Sequence, residues 1–327
     1  MNILTLENLN IWYPLTGGIF RTVRGHVRAV RDVTLTVKEG MSLGLVGESG
    51  CGKSSLGRAV IGLETITHGR IIYDGIDIGM ATPAQMRNIR RGIQMIFQDP
   101  FSSLSPRMTV QEILREPFAV HNEMPENLQQ TLFELLDLVG MSRAALTKYP
   151  HEFSGGQRQR IAIARAIALR PRVLVADEAV SALDVSIQSQ ILNLLKTLQR
   201  ELKLTMLFIA HNLAVVRYMS DTIAVMYLGN IVETGDADEL VTRPLHPYTK
   251  ALISAIPKAE PADRKEKIIL SGEVPSPRNP PEGCAFHTRC PHVMAQCRTI
   301  RPKLVDVPGS EQSEKSAAMR QCACHLI

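Results

Sequence analysis

The run Gly47-Glu48-Ser49-Gly50-Cys51-Gly52-Lys53-Ser54 has the residue types and the spacing to hold a nucleoside triphosphate. Its glycines let backbone N–H groups turn inward around an anionic β-phosphate, Lys53 is long enough to reach the β- and γ-phosphates, and the Ser54 hydroxyl can ligate Mg²⁺. A glycine-rich turn that binds nothing is the alternative, but every fixed position of a phosphate loop is matched here between a strand and a helix. Farther along, Asp177-Glu178 ends the apolar run Val173–Ala176. Asp177 is placed to hold Mg²⁺ opposite Ser54, directly or through water. Strand alternation aims Glu178 differently, past the metal, where it can polarise an attacking water. Two acids at a strand end also occur as an ordinary turn; after a phosphate loop the chemical reading dominates. His211 follows the apolar run Thr205–Ala210, and Ser154-Gly155-Gly156-Gln157 opens a long helical stretch whose free N–H groups make a second anion site. Taken alone, His211 reads as a solvated loop residue and Ser154 as an ordinary N-cap.

Periodicity gives the elements that must position these groups. Ser42–Val46 reads as the strand before the loop and Ser54–Gly62 as the helix after it. Met1–Asn10 and Val33–Val37 alternate as strands, Ile71–Asp74 with Asp74-Gly75 suggests a hairpin, and Ile93–Phe97 is a short strand ending on Gln98. Apolar residues at three- and four-residue intervals then mark helices in Val110–Pro117, Glu126–Gly140 and Gly156–Leu169, a helical insertion from Pro100 to about Arg170. Beyond Glu178 come a helix Val185–Glu201, the strand before His211, a strand pair Thr222–Tyr227 and Asn230–Glu233, and helices in Asp236–Thr242 and Pro247–Ile256. The polar groups thus fall at the C-terminal ends of strands, where open α/β sheets bind ligands. Tyr13, upstream of the loop, is placed either to stack on a purine or to cover the core, and spacing alone does not choose.

A chain of 327 residues suggests one large α/β domain with an appendage, or two domains. The net charge of +5 is mild and makes no case for nucleic acid. Met1–Asn10 lacks the apolar centre of a secretory signal, and the longest apolar runs, Leu204–Ala210 and Thr222–Leu228, are strand-sized, so a cytosolic protein is expected. Cys51 sits in the phosphate loop, while Cys284, Cys290, Cys297, Cys322 and Cys324 cluster near the end. In a reducing compartment such clustering points to metal rather than disulfides. The tail from Pro257 carries nine of the 19 prolines, so it is loop-rich and needs a staple.

Together these residues resemble the nucleotide-binding subunits of ABC transporters over essentially the whole chain. Gly47–Ser54 resembles Walker A, Gln98 the Q-loop glutamine, Phe153–Gln157 the ABC signature, Val173–Asp177 with Glu178 Walker B and its catalytic glutamate, Ser181–Asp184 the D-loop, His211 the switch histidine and Tyr13 the adenine-stacking aromatic. The resemblance implies an α/β P-loop NTPase fold with an antiparallel β subdomain, a RecA-like core and a helical insertion over about 100–172. It divides the chain into an ATP-binding domain, 1–256, and a loop-rich, cysteine-containing appendage, 257–327. It implies ATP contacts from Tyr13, Gly47, Ser49, Gly50, Cys51, Gly52, Lys53, Ser54, Ser55, Gln98 and Asp177, with Ser154, Gly155, Gly156, Gln157 and Asp184 completing the site. Mg²⁺ would be held by Ser54, Gln98 and Asp177, and catalysis carried by Glu178, His211, Lys53 and Gln98. Two such subunits would sandwich two ATP molecules head to tail, Ser154 of one meeting the γ-phosphate bound to the other. The chain departs from the family pattern at Ala179, where proline is usual; a slightly looser D-loop is the expected effect.

The segment Arg243–Lys250 and the tail look like the oligopeptide/dipeptide/nickel branch of ABC importers, and Ser49–Arg58 like its second, F-type partner. That implies an ATPase driving uptake of a peptide or a metal chelate, peripheral on the cytoplasmic face of the inner membrane. Its partners would be a second ATP-binding subunit in a heterodimer, two transmembrane permease subunits and an extracytoplasmic substrate-binding protein, with no nucleic acid. A homodimer is the alternative assembly. In some members of the branch the matching cysteines hold a [4Fe–4S] cluster, which would place Cys284, Cys290, Cys297 and Cys324 as ligands; zinc is the alternative, and Cys322 competes with Cys324 for the fourth position. The competing functions are a soluble non-transport ABC ATPase and an iron–sulfur-regulated ATPase. One phosphate loop and no heptad run argue against the first, an intact Glu178 and His211 against a degenerate core.

Overall fold

The structure, a computed structural model, describes residues 1–17, 22–99, 103–256, 268–307 and 319–327. Two long strands open the chain, β1 (Asn2–Gly17) and β2 (Thr22–Lys38), paired antiparallel from Asn2↔Lys38 to Gly17↔Thr22. They outrun the expected Met1–Asn10 and Val33–Val37 because bulges absorb the breaks in alternation. Asn8 and Asp32 take positive φ there, and the Asn10 amide bridges them, donating to the Asn8 carbonyl at 2.9 Å and to Asp32 Oδ1 at 2.8 Å.

The wholly buried β3 (Ser42–Val46) feeds the phosphate loop, and α1 (Lys53–Val60) leaves it. Next come β4 (His68–Tyr73) and β5 (Ile76–Asp77), which form the hairpin at Asp74-Gly75, then α2 (Pro83–Gly92) and β6 (Ile93–Ile96). Helix α2 has no counterpart among the expected elements. Its start is nonetheless written in the sequence, since Thr82 and Gln85 close a capping box and Pro83 occupies the first turn. The insertion holds α3 (Val110–His121), α4 (Leu128–Leu138) and α5 (Gly155–Ile167), capped by Thr109, Asn127 and Ser154. Pro100 and Pro257, where the insertion and the tail were expected to begin, lie outside the described residues. The chain continues through β7 (Val173–Asp177), α6 (Val185–Glu201), β8 (Thr205–Ala210), α7 (Leu213–Met219), β9 (Thr222–Tyr227), β10 (Asn230–Asp236), α8 (Ala237–Thr242) and α9 (Pro247–Ser254). The tail adds the short strands β11 (Val305–Asp306) and β12 (Gln321–Cys322).

Two sheets result: an antiparallel one ordered β2-β1-β4-β5, and a mixed one ordered β11-β12-β10-β9-β3-β8-β7-β6, in which β9, β3, β8, β7 and β6 run parallel. The parallel strands are apolar on both faces, as strands covered on both sides must be. Leu45, Val175 and Ile209 face α1 and the antiparallel sheet, while Leu174, Ala176 and Phe208 face the insertion and α6. The tail docks on the same framework. Cys322 pairs with Glu233 of β10, and Phe286 lies 5.2 Å edge-on from Tyr227 of β9 and 5.5 Å from Tyr248 of α9. Arg320 meets the fully buried Glu233 at 2.9 Å, an ion pair whose burial is tolerable because the Leu245 and His246 backbone N–H groups donate to the same carboxylate.

Candidate functional site

The C-terminal ends of β3, β6, β7 and β8 share one edge of the parallel sheet, so four short apolar strands deliver the phosphate loop, Gln98, Asp177-Glu178 and His211 to one place. The loop's glycines are there for space and angle. Gly52 has φ +104°, and a Cβ on it would lie 2.0 Å from the Ala29 carbonyl oxygen; one on Gly47 would lie 2.1 Å from that of Met226. Lys53 is buried, its ammonium donating to the carbonyls of Gly47 at 2.8 Å and Glu48 at 3.0 Å, so the loop curls around its own lysine.

Beside it the Ser54 hydroxyl donates to Asp177 Oδ1 at 3.0 Å. Burial pushes the Asp177 carboxyl up, the Ser54 hydrogen bond pulls it back, and the Glu178 charge raises it further, leaving a net increase. Two hard oxygen donors in contact, one of them an acid whose ionised form is disfavoured by burial, fit a divalent cation in chemistry and in electrostatics. Glu178 sits in the left-handed region at φ +46°, its N–H held by the Ile209 carbonyl at 2.9 Å. This turns its side chain out of the strand. There Gln98 Nε2 donates to Glu178 Oε2 at 2.9 Å, and His211 Nδ1 stands 3.9 Å from Oε1. Gln98 therefore addresses the glutamate here, not the Ser54–Asp177 pair. Ala179 is buried, and two residues beyond it Ser181 donates both its N–H and its hydroxyl to the Glu178 carbonyl at 3.0 Å, so the turn is braced without a proline.

A cavity of about 340 Å³ opens over these groups, lined by Ser49, Gly50 and Gly52 to Ser55 of the loop, by Gln98 and Glu178, and by Tyr13 and Val27 of the antiparallel sheet. Tyr13, ambiguous in spacing, thus lies on the cavity wall; burial raises its pKa, opposed by a hydrogen bond to Ser55. Pro277 of the tail also lines the cavity, and its carbonyl accepts from Arg28 N at 3.2 Å, a contribution no local signal announced. Gly47, Cys51 and Asp177 are buried and do not line the cavity.

Ser154, Gly155, Gly156, Gln157 and Asp184 are not on its wall. Ser154 instead caps α5, in a reciprocal capping box with Gln157. Gly156 packs so closely on α6 that a Cβ would come within 2.6 Å of Ile187 Cγ2. Asp184 is the N-cap residue of α6, its side chain taking no part in capping.

Residues 30–181 match the ABC transporter family, and residues 232–297 match the oligopeptide/dipeptide transporter C-terminal region. Over 329 residues the chain is 47% identical to the oligopeptide transport ATP-binding protein AppF of Bacillus subtilis, covering 99% of this chain and 97% of that protein. It is 45% identical over 326 residues to the di/tripeptide transport ATP-binding protein DppF of Pseudomonas aeruginosa, with the same coverage. The chain belongs to the ATP-binding subunits of ABC transporters, in the oligopeptide/dipeptide branch. Solved relatives agree in fold. The ATP-binding cassette MJ0796, in a dimeric post-hydrolysis state bound to ADP and Pi, superposes with a TM-score of 0.63 at 27% identity, over 72% of this chain and 98% of that one. The cbiO1 protein of Clostridium perfringens, part of the ABC transporter complex cbiONQ, gives 0.63 at 28%, over 74% and 91%.

This ABC subunit is accordingly an ATPase, and no helix among its described residues is long and apolar enough to cross a membrane. Its appendage brings four thiols into one neighbourhood. Burial pushes the Cys284 thiol up to about 11, with Cys297, Cys324 and Cys290 acting in the same direction; Cys290 and Cys324 are raised as well, first by burial. Cys322 pairs with Glu233 across β12 and β10, and its thiol is raised by burial first, with Glu233 and then Cys324 acting in the same direction. Among the described residues, however, no three His, Cys, Asp or Glu side chains are gathered tightly enough to hold a metal ion.

Proposed function

We propose that this subunit hydrolyses ATP to energise uptake of peptides across the cytoplasmic membrane, as one of two nucleotide-binding subunits of an importer. The observation that carries the reading is the convergence of Lys53, Ser54, Asp177, Gln98, Glu178 and His211 at one sheet edge, with Ser154 exposed and off the cavity wall. Lys53 exchanges its two carbonyl partners for the β- and γ-phosphate oxygens, and the loop N–H groups take the bridging charge. A Mg²⁺ ion held by Ser54 and Asp177 would neutralise phosphate charge as it develops. Glu178 orients the attacking water and accepts its proton, Gln98 fixes the rotamer of that carboxylate, and His211 reaches the same water and the γ-phosphate from the other side. Tyr13 stacks on the adenine.

Ser154 to Gln157 and Asp184 act across a subunit boundary, on ATP bound by a second ATP-binding subunit; the F-type phosphate-loop sequence favours a different chain, hence a heterodimer. Two permease subunits docked on the helical insertion, and an extracytoplasmic binding protein, complete the transporter, which holds this subunit peripherally on the inner membrane. Peptide cargo is favoured by relatives named for oligopeptide and di/tripeptide transport. In the tail, Cys284, Cys290, Cys297 and Cys324 would serve as the donor set for a [4Fe–4S] cluster, or for zinc, only if their side chains closed in from the arrangement described above, which among the described residues gathers no such group. The test is ATP-driven uptake of labelled di- and tripeptides, against a nickel chelate, by the transporter reconstituted in vesicles. Uptake of the chelate alone, or no uptake with full ATPase activity, would refute the peptide reading.

A further inference from the structure

Glu48 is the phosphate-loop residue with no part in the chemistry above, and it is held on three sides. Its backbone N–H donates to the Tyr248 hydroxyl at 3.0 Å, its carbonyl accepts from Lys53 Nζ at 3.0 Å, and its carboxylate takes both arms of Arg289, at 2.8 and 3.3 Å. Arg289 belongs to the cysteine-bearing appendage, 241 residues away in sequence, and only 8% of its side chain is exposed. Its guanidinium stands 6.0 Å over the Tyr227 ring. Tyr227, Tyr248 and the buried Phe286 form one aromatic cluster that joins β9, α9 and the appendage, so Arg289 is set on a rigid base.

We propose that Arg289 is a positioning residue for the ATP site. Through its fork on Glu48, the appendage fixes the backbone at residues 47–49 in the shape that accepts the phosphates, so the docked state of the tail sets ATP affinity. A two-armed guanidinium–carboxylate pair fixes direction as well as distance, which a single charge cannot do. Tyr248 acts on the same residue from the α9 side. Neither residue touches the cavity, so the pair governs binding and leaves the hydrolytic step alone.

The proposal rests on reading residues 47–54 as the ATP site, and Lys53→Ala tests that reading separately. Mg²⁺-ATP affinity of the full chain, and KM and kcat of the assembled transporter, are measured for Arg289→Gln, Arg289→Lys, Glu48→Gln, Tyr248→Phe and the Arg289→Gln/Glu48→Gln double variant. Arg289→Gln is expected to raise Kd and KM about tenfold with kcat within about twofold, and Arg289→Lys to recover part of the loss. The double variant should be no worse than the worse single one, because both remove the same pair. An Arg289→Gln protein that keeps its ATP affinity within twofold overturns the proposal, as do additive losses in the double variant. Should Arg289→Gln fail to fold, Glu48→Gln decides on the same measure. If Lys53→Ala binds ATP normally, the site reading itself fails.

Discussion

Replacing Glu178 with Gln isolates the hydrolytic step, because the change keeps shape and removes only charge. Among the described residues the carboxylate has one short bond, from Gln98 Nε2 at 2.9 Å, and a looser contact with His211 at 3.9 Å. A glutamine can turn its carbonyl oxygen toward Gln98 and keep that bond, losing only the charge assistance, about 1 kcal/mol. Against this, removal of the Glu178 charge relieves Asp177, whose carboxyl it pushes up, so folding stability should change by less than about 1 kcal/mol. Neither the Lys53 carbonyl bonds nor the Ser54–Asp177 contact is touched. ATP affinity should therefore stay within about threefold, while losing a positioned base lowers kcat by about 10²–10⁴, or roughly 3–5 kcal/mol of barrier. Phosphate release by the reconstituted transporter gives kcat, and titration with a fluorescent ATP analogue gives affinity. A kcat within tenfold of the wild type, in a variant that binds ATP normally, would refute the assignment of Glu178 as the group that activates water.

Gly52→Ala places a methyl group 2.0 Å from the Ala29 carbonyl at φ +104°, which should cost about 3 kcal/mol in chemical denaturation and abolish ATP binding in the same titration. His246 is buried with Nδ1 accepting from Tyr248 N, and burial lowers its pKa from 6.5 to about 3. Between those values the unfolded chain binds the extra proton, so stability is full above pH 6.5 and falls with acidification, by about 2 kcal/mol at pH 5. Urea unfolding at pH 7.5 and pH 5 should show that slope in the wild type and a flatter one in His246→Asn, which keeps a capping acceptor. The absorption spectrum and metal content of anaerobically purified protein test the proposed cluster: a visible band lost in Cys324→Ser and kept in Cys322→Ser would support it, stoichiometric zinc in a colourless protein would replace it by the alternative, and the absence of both would agree with the spread of these thiols in the structure.

What the sequence discloses about this site follows from how local each signal is. The phosphate loop, Asp177-Glu178 and His211 were legible because each is a short string fixed to a strand end, and β3, β7, β8 and α6 have the bounds their apolar patterns indicate. Strands β1 and β2 extend further than alternation suggests because bulges at Asn8 and Asp32 reset the period. The capping signal of α2 was present but followed by few apolar residues, since only Ile89 of that helix is buried. Tyr13 could not be settled by spacing, because an aromatic at a strand end serves a core or a ligand equally well. Pro277, Tyr248 and Arg289 were illegible for another reason: they reach the loop from 200 residues or more away, by docking that no local pattern encodes.

The position of Ser154 decides what kind of machine the site can be. In one chain the cavity offers phosphates Lys53, the loop amides and the α1 N-terminus, and on the proposed reading this half alone would hold ADP and ATP through much the same contacts. On the proposed head-to-tail arrangement, the γ-phosphate is the group that a second chain's signature would meet. There Ser154 waits with its oxygen accepting weakly from Gln157 N at 3.4 Å, while among the described residues its hydroxyl donates to none, at the positive end of α5. Moving a two-state assembly from 1:99 open to 99:1 closed takes about 10⁴ in relative affinity, or about 10² from each of two ATP molecules. One or two charge-assisted hydrogen bonds from a signature helix to a γ-phosphate are of that size. On that reading closure would be driven by ATP and released by its hydrolysis with no other difference between the states, which accords with a signature that lies off its own cavity wall.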